Sequence, residues 1–146
     1  MKRIYLIPAI LLSASYLIAG CDTLNKIPTN TTGGVFSLNG SWSLNTTNDV
    51  IAEQGTVITV LPVIGTGSAK TLVNNTYCYR EGDVVWKDLK TLQTGGFTLN
   101  QLAGACNGTS IYKAATITIE NNNMVKVNSK TVAGADLVQE WKRLTN

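Results

Sequence analysis

Apolar and polar residues alternate one by one along much of the chain beyond residue 38, which is the period of a β-strand whose two faces meet different surroundings. The clearest case lies between residues 114 and 120, where alanine and isoleucine fall on one face and threonine and glutamate on the other. No segment shows a long amphipathic helix. Seven to nine short strands predict an all-β fold, either an antiparallel barrel or a β-sandwich.

The boundaries of these elements follow from turn residues and from the alternation itself. The run 55–61 is rich in β-branched residues and stops at Pro62. The asparagines at 121–123 predict a hairpin turn, because asparagine tolerates positive φ. Residues 97–103 are interpreted as a helical turn or a loop, and 65–71 as a flexible turn. The predicted strands are 40–44, 55–61, 70–74, 76–80, 84–89, 114–120, 124–128 and 137–144.

The first 21 residues have the pattern of an export signal. Lys2 and Arg3 precede an apolar stretch of about 16 residues, which is short for a membrane span of roughly 20. The stretch ends in Ile18-Ala19-Gly20-Cys21, which resembles the lipobox of bacterial lipoproteins. That resemblance implies a signal peptide at 1–20 and acyl chains such as palmitate on Cys21. An ordinary secreted protein is the alternative.

Export sets the predicted location and domain organisation. We expect a lipid-anchored protein of the bacterial cell envelope, with an acylated flexible tether at 21–38 and a β domain at 39–146. The charge-poor, Asn- and Thr-rich composition resembles envelope proteins of the Bacteroidetes, which favours the outer membrane and its outer surface. Asp22 resembles an inner-membrane retention signal of enterobacteria, so the choice of membrane stays open.

Three cysteines fit the same location. If Cys21 carries lipid, Cys78 and Cys106 remain as an even pair in an oxidising compartment. A disulfide between them would close a loop of about 28 residues and contribute roughly 3–4 kcal/mol in the chain-entropy model. Two buried free thiols are the alternative.

Composition excludes several functions. The 146-residue chain has no histidine, so it cannot hold a Ser-His-Asp triad, a Cys-His pair or a histidine zinc site. The net charge of +3 includes Lys2 and Arg3, and the remainder is too balanced for a nucleic-acid footprint. The Gly-rich segment 65–71 lacks the glycine before Lys70 that a phosphate loop requires. We therefore predict no catalytic residues, no metal and no cofactor.

Two short motifs at the ends of the β domain resemble lipocalins. Gly40-Ser41-Trp42 is similar to the G-x-W signature at the first lipocalin strand. Trp141-Lys142-Arg143 resembles the closing strand of small bacterial lipocalin-like proteins. The resemblance implies an antiparallel barrel in which Arg143 packs over Trp42 in a cation–π contact and closes one end. A fold resemblance does not carry a ligand with it.

Aromatic side chains are the candidates for binding. Tyr77 and Tyr79 lie on one face of a predicted strand, Trp86 lies on the next strand, and Arg80 stands beside them to orient an anion. The alternative is that these aromatics fill the core. Two functions follow from the sequence. The first is binding of a small apolar or amphipathic ligand inside the barrel. The second is structural, as an accessory lipoprotein docked on an outer-membrane protein complex.

Overall fold

The chain folds into a closed antiparallel barrel in a computed structural model that describes residues 29–30, 34–49 and 53–145. Eight strands, β3 to β10, form the barrel, and β1 and β2 form a small sheet ahead of it. The strands are β1 Thr29–Asn30, β2 Gly34–Val35, β3 Gly40–Thr47, β4 Val57–Leu61, β5 Thr66–Thr71, β6 Val84–Thr91, β7 Phe97–Gly104, β8 Ile111–Asn121, β9 Met124–Lys130 and β10 Asp136–Arg143. The predicted signal peptide and Cys21 lie outside the described residues.

Closure distinguishes a barrel from a sandwich. Every barrel strand pairs with its neighbours in the sequence, and β10 returns to pair with β3, with Trp141 opposite Leu44 and Arg143 opposite Trp42. The predicted all-β, antiparallel, lipocalin-like barrel is therefore confirmed, and the sandwich alternative is wrong. Within the described ranges the one helical element is a 3₁₀ turn at Pro62–Ile64. No helix in those ranges is long and apolar enough to cross a membrane.

Inward-facing side chains fill the barrel. The predicted alternation of β8 is confirmed, since Ala115 and Ile117 are buried while the threonines between and after them are exposed. Three tryptophans, Trp42, Trp86 and Trp141, are each at most 4% exposed. Trp86 and Trp141 meet edge to face, with ring centres 5.4 Å apart. An eight-stranded barrel is just wide enough for side chains to fill, and these large rings are among the side chains buried in it.

The barrel has two ends that differ in chemistry. We call the end that holds Gly40 and Arg143 the entry end, because the chain enters the barrel there. The β4–β5, β6–β7 and β8–β9 connections lie at this entry end. The opposite, disulfide end carries the β3–β4, β5–β6, β7–β8 and β9–β10 connections, including Cys78 and Cys106.

Two segments interpreted as turns or loops are strands. Residues 97–103 belong to β7, in which Phe97, Leu99 and Gln101 are buried. The polar Gln101 at an inward position hides the alternation. Residues 66–71 form β5, where Gly67 allows Trp86 to approach. A Cβ atom at Gly67 would lie 3.3 Å from the Trp86 Cβ, so packing, and not flexibility, explains this glycine.

The predicted strand at 76–80 is wrong. These residues form part of the long connection between β5 and β6, and Cys78 has a φ of 61°. The Tyr79 N–H donates to Asn75 Oδ1 at 2.8 Å, which bends the chain locally. A side chain that bonds the nearby backbone competes with strand pairing in this way.

The asparagine hairpin forms where predicted, between β8 and β9, but by another device. Neither Asn122 nor Asn123 is among the described residues with positive φ. Instead, the Asn123 N–H donates to Asn121 Oδ1 at 2.9 Å, and a register shift precedes the turn. An asparagine side chain that bonds the backbone two residues on is an Asx turn.

The packed domain begins earlier than residue 39. Phe36 and Leu38 are 6% and 1% exposed and belong to the hydrophobic core. The Trp42 indole N–H donates to the Leu38 carbonyl at 2.9 Å, which holds this segment across the barrel end. Residues 36–38, assigned to the tether from their polar neighbours, are therefore part of the fold.

Candidate functional site

The entry end of the barrel is sealed. The Arg143 guanidinium lies over the Trp42 ring, 4.2 Å from its centre, as the lipocalin resemblance implied. The same group donates to the carbonyls of Asn39, at 2.6 Å, and Ser37. Burial lowers the pKa of Arg143. These contacts tie the first and last strands together and leave no mouth for a ligand where they lie.

The disulfide end carries a cluster of polar and aromatic side chains. The sulfurs of Cys78 and Cys106 are 2.06 Å apart, so the structure brings the predicted pair to bonding distance. The rings of Tyr77 and Tyr79 stack with centres 5.6 Å apart. The Tyr77 hydroxyl donates to the Asp49 carboxylate, which connects this cluster to the β3–β4 connection.

Tyr79 and Glu53 form the inner layer of this cluster. The Tyr79 hydroxyl donates to the Leu102 carbonyl on β7. Burial raises the pKa of Tyr79, so its hydroxyl stays protonated and acts as a donor. Glu53 is 4% exposed and accepts a hydrogen bond from the Thr76 N–H at 3.1 Å. Burial also raises the pKa of Glu53, although the bonds from Thr76 oppose the rise.

Beneath Glu53 and Tyr79 the barrel interior is polar. Gln101 Nε2 donates to Gln139 Oε1 at 2.7 Å, and the Trp141 indole N–H donates to the same oxygen at 3.3 Å. Gln101 Oε1 and Ser129 Oγ are buried without a protein partner. A cavity of about 20 Å³ lies among Glu53, Tyr79, Gln101, Gln139 and Trp141. A single water site needs about 10–15 Å³ of such space, so the cavity has the size of one water.

The sequence singled out only part of this cluster. Tyr77 and Tyr79 do lie side by side, but Trp86 is core and is not among the residues around the cavity. Arg80 is exposed, and its N–H donates to Asp83 Oδ2 at 2.8 Å in a turn. Sequence reasoning missed the two buried glutamines. Their signal was a polar residue at an inward position of a strand, as in the series Leu137, Gln139, Trp141.

A groove lies on the outside of the barrel, where β3 meets β10. Its volume is about 540 Å³. It is lined by Ser43, Leu44, Asn45, Gln54, Gly55, Lys142, Arg143, Leu144 and Thr145. Its polar side chains offer hydrogen bonds to a partner, and two basic residues, Lys142 and Arg143, stand in its lining. The groove is far larger than the interior cavity.

Both places present hydrogen-bond donors and acceptors. Among the described residues, no three His, Cys, Asp or Glu side chains come together to hold a metal ion. The chain matches no family model, no curated protein and no solved structure. Fold and site together define a closed, up-and-down, eight-stranded β-barrel with one sealed end and a polar, disulfide-braced opposite end.

Proposed function

We propose that this protein is a lipid-anchored lipoprotein of the bacterial cell envelope whose barrel is not catalytic and binds an envelope partner through its outer surface. The lipobox-like Ile18-Ala19-Gly20-Cys21 supports the anchor. The partner is then another protein at the membrane, for which an outer-membrane complex is our candidate. Two or more acyl chains on Cys21 would hold the barrel stably at the bilayer.

One observation carries this choice over a ligand carrier. The interior cavity beneath Tyr79 measures about 20 Å³, whereas small-molecule sites commonly enclose 300–1,000 Å³. The rings of Trp42, Trp86 and Trp141 occupy the space in which a lipocalin-type cargo would lie. The outer groove of about 540 Å³ is instead open at the surface, where a partner protein can reach it.

Site-specific photo-crosslinking in the native host tests this proposal. A photoreactive residue at Gln54, on the groove, should capture one defined envelope protein. The same residue at Thr118, exposed on β8, serves as the matched control. Equal capture at both positions, or none at Gln54, would contradict docking through the groove. Intact mass of the purified protein tests the acyl chains on Cys21 separately.

A second function is supported by the polar interior. Gln101 Oε1 and Ser129 Oγ are buried without a protein partner, and such groups usually find one. A small polar molecule that reaches Gln101 through the disulfide end would satisfy its Oε1 atom. Native mass spectrometry of the gently purified protein should then show a stoichiometric adduct that Gln101→Leu abolishes. The free mass alone, with folded protein, would rule this function out.

A further inference from the structure

An exposed apolar tip stands at the entry end of the barrel. It consists of Leu61–Ile64, the end of β4 and the 3₁₀ turn that follows it. Val63 is 99% exposed, Ile64 66% and Leu61 48%. Turns of this kind usually carry glycine, asparagine or aspartate. Three large aliphatic side chains in succession around Pro62 therefore need a reason that lies outside the barrel.

The tip is not a lid over a ligand mouth. It lies at the end that Arg143 and Trp42 seal, and the cavity lies at the opposite, disulfide end. The tip is held in place, since the Leu89 N–H donates to the Gly65 carbonyl at 3.1 Å and the Gly65 N–H to the Pro62 carbonyl at 3.0 Å. A fixed apolar projection on a closed end fits an external surface.

The exposed apolar side chains are distributed unevenly. Leu144, 43% exposed, follows β10 at the same entry end, where its N–H donates to the Ser41 carbonyl. Within the described ranges, four of the six large apolar side chains that are exposed thus lie at the entry end. The other two, Ile111 and Val132, lie at the disulfide end and are separate from the tip.

Charged residues are also distributed unevenly between the two ends of the barrel. We counted charged residues in the described connections at each end and in the two residues of each strand nearest that end. The entry end has three basic residues and one acidic residue. They are Lys90, Lys142 and Arg143 against Glu120. At the disulfide end, counted in the same way, five acids face three bases. They are Asp49, Glu53, Glu81, Asp83 and Asp136 against Lys70, Arg80 and Lys130. The end that carries the apolar tip is therefore the positive one, which anionic lipid attracts.

The chain also leaves the barrel toward Cys21 at this end. Phe36 packs at the entry end, and Cys21 lies only 15 positions before it in the chain. Even fully extended, that length spans about 50 Å. An acylated Cys21 would keep the entry end close to the bilayer and raise the local concentration of the tip at its surface.

We infer that Leu61–Ile64 is a membrane-contacting tip, which inserts into the bilayer interface and directs the disulfide end away from the membrane. The orientation rests on the acylated Cys21 of the proposed function. Apolar side chains inserted at the headgroup boundary, with basic residues beside them, are the features by which proteins lie on membranes. A barrel fixed in this way presents the polar cluster at the disulfide end to the space beyond the bilayer.

Fluorescent labelling of the full acylated protein tests the inference. Val63→Cys carries an environment-sensitive probe, and Val132→Cys, an exposed valine at the other end, is the matched control. The protein is reconstituted in vesicles of phosphatidylethanolamine and phosphatidylglycerol. The probe at 63 should shift to the blue and be quenched by nitroxide lipids, while the probe at 132 should do neither.

Three results would overturn the inference. The first is a probe at 63 that stays in water although the protein floats with the vesicles. The second is equal quenching at 63 and 132. The third is a blue shift that appears without vesicles, which would assign the tip to a second copy of the chain. In each of these three cases the intact mass of the protein is also measured. Acyl chains on Cys21 would mean that only the inference about the tip has failed, whereas an unmodified Cys21 would refute the proposed function itself.

A loss-of-binding variant provides an independent readout. Cys21→Ser, produced without the predicted signal peptide 1–20, lacks both the acyl chains and the apolar leader, so vesicle binding then depends on the tip alone. Val63→Asp in this background should weaken binding to the anionic vesicles at least about tenfold, since burial of an aliphatic side chain is worth roughly 1.5–3 kcal/mol. Val132→Asp should not change it. Equal binding by all three proteins would contradict the inference.

Discussion

The guanidinium of Arg143 lies 4.2 Å from the centre of the Trp42 ring, and this contact joins the last strand of the barrel to the first. The two residues also face each other in the β3–β10 register. Arg143 Nε donates to the Asn122 carbonyl at 3.0 Å, and its other nitrogens donate to Asn39 and Ser37. The Arg143 side chain therefore ties the last barrel strand to the first, covers the entry end and holds the segment that leads into β3.

Arg143→Ala should lower the free energy of unfolding by roughly 2–4 kcal/mol, because charged hydrogen bonds and a cation–π contact are lost together. Lys142→Ala removes an exposed neighbouring charge and should cost less than about 0.5 kcal/mol. Urea unfolding of both variants measures the difference. Similar midpoints for the two would show that Arg143 does not carry the closure.

Removal of the disulfide should weaken the disulfide end more than the barrel. Cys78→Ser with Cys106→Ser should cost about 3–4 kcal/mol, because the reduced chain regains the entropy of a loop with a sequence separation of 28. Hydrogen exchange should rise most in the β5–β6 and β7–β8 connections. Peptide mapping of the unreduced protein checks the pairing directly. Two alkylatable thiols at 78 and 106 would show that the pair is not bonded.

Alanine substitutions at two glycines can distinguish the effect of steric clash on stability from that of backbone strain. Gly96 and Gly82 have similar φ values of 85° and 90°, but a Cβ at Gly96 would lie 2.3 Å from the Ile117 carbonyl oxygen, whereas nothing lies near Gly82. Both alanine variants meet about 1–2 kcal/mol of left-handed strain. Gly96→Ala should cost roughly 1–3 kcal/mol more. Thermal or urea unfolding measures this, and equal losses would refute the close approach to β8.

The buried Glu53 should make stability depend on pH. Burial raises its pKa in the folded protein above the ordinary 4.5, so the folded state binds the proton more tightly than the unfolded state does. This contribution is present below pH 4.5 and is lost as the pH rises through the folded pKa. Relative to Glu53→Gln, the wild type should therefore gain stability as the pH falls from neutrality toward 4.

Urea unfolding of wild type and Glu53→Gln at several pH values makes this measurement. Glu120→Gln is the matched control, because Glu120 is exposed on the outer face of β8. The stability difference between wild type and the control should not follow the same course. Parallel pH profiles for wild type and Glu53→Gln would contradict a raised pKa at Glu53.

Much of the fold was predictable where strand alternation is strict. β8 and β9 were predicted correctly because valine, isoleucine and alanine recur every second residue and polar residues separate them. β7 was not predicted as a strand, because Gln101 occupies an inward position beside Gln139, a partner 38 residues further on. The candidate site was only half predictable for the same reason. Its tyrosines are visible as aromatics, but its glutamines have meaning only as a pair.

The sequence alone determined the strands with a clean two-residue period, the even cysteine pair, the end motifs around Trp42 and Arg143, and the absence of histidine chemistry. Local spacing and composition carry all of these. Tertiary structure decided that the sheet closes, that Trp86 is core, and that residues 76–80 form a turn. Those outcomes depend on contacts between residues distant in the chain, which no local pattern specifies. The apolar tip is likewise known as exposed only once the barrel places it.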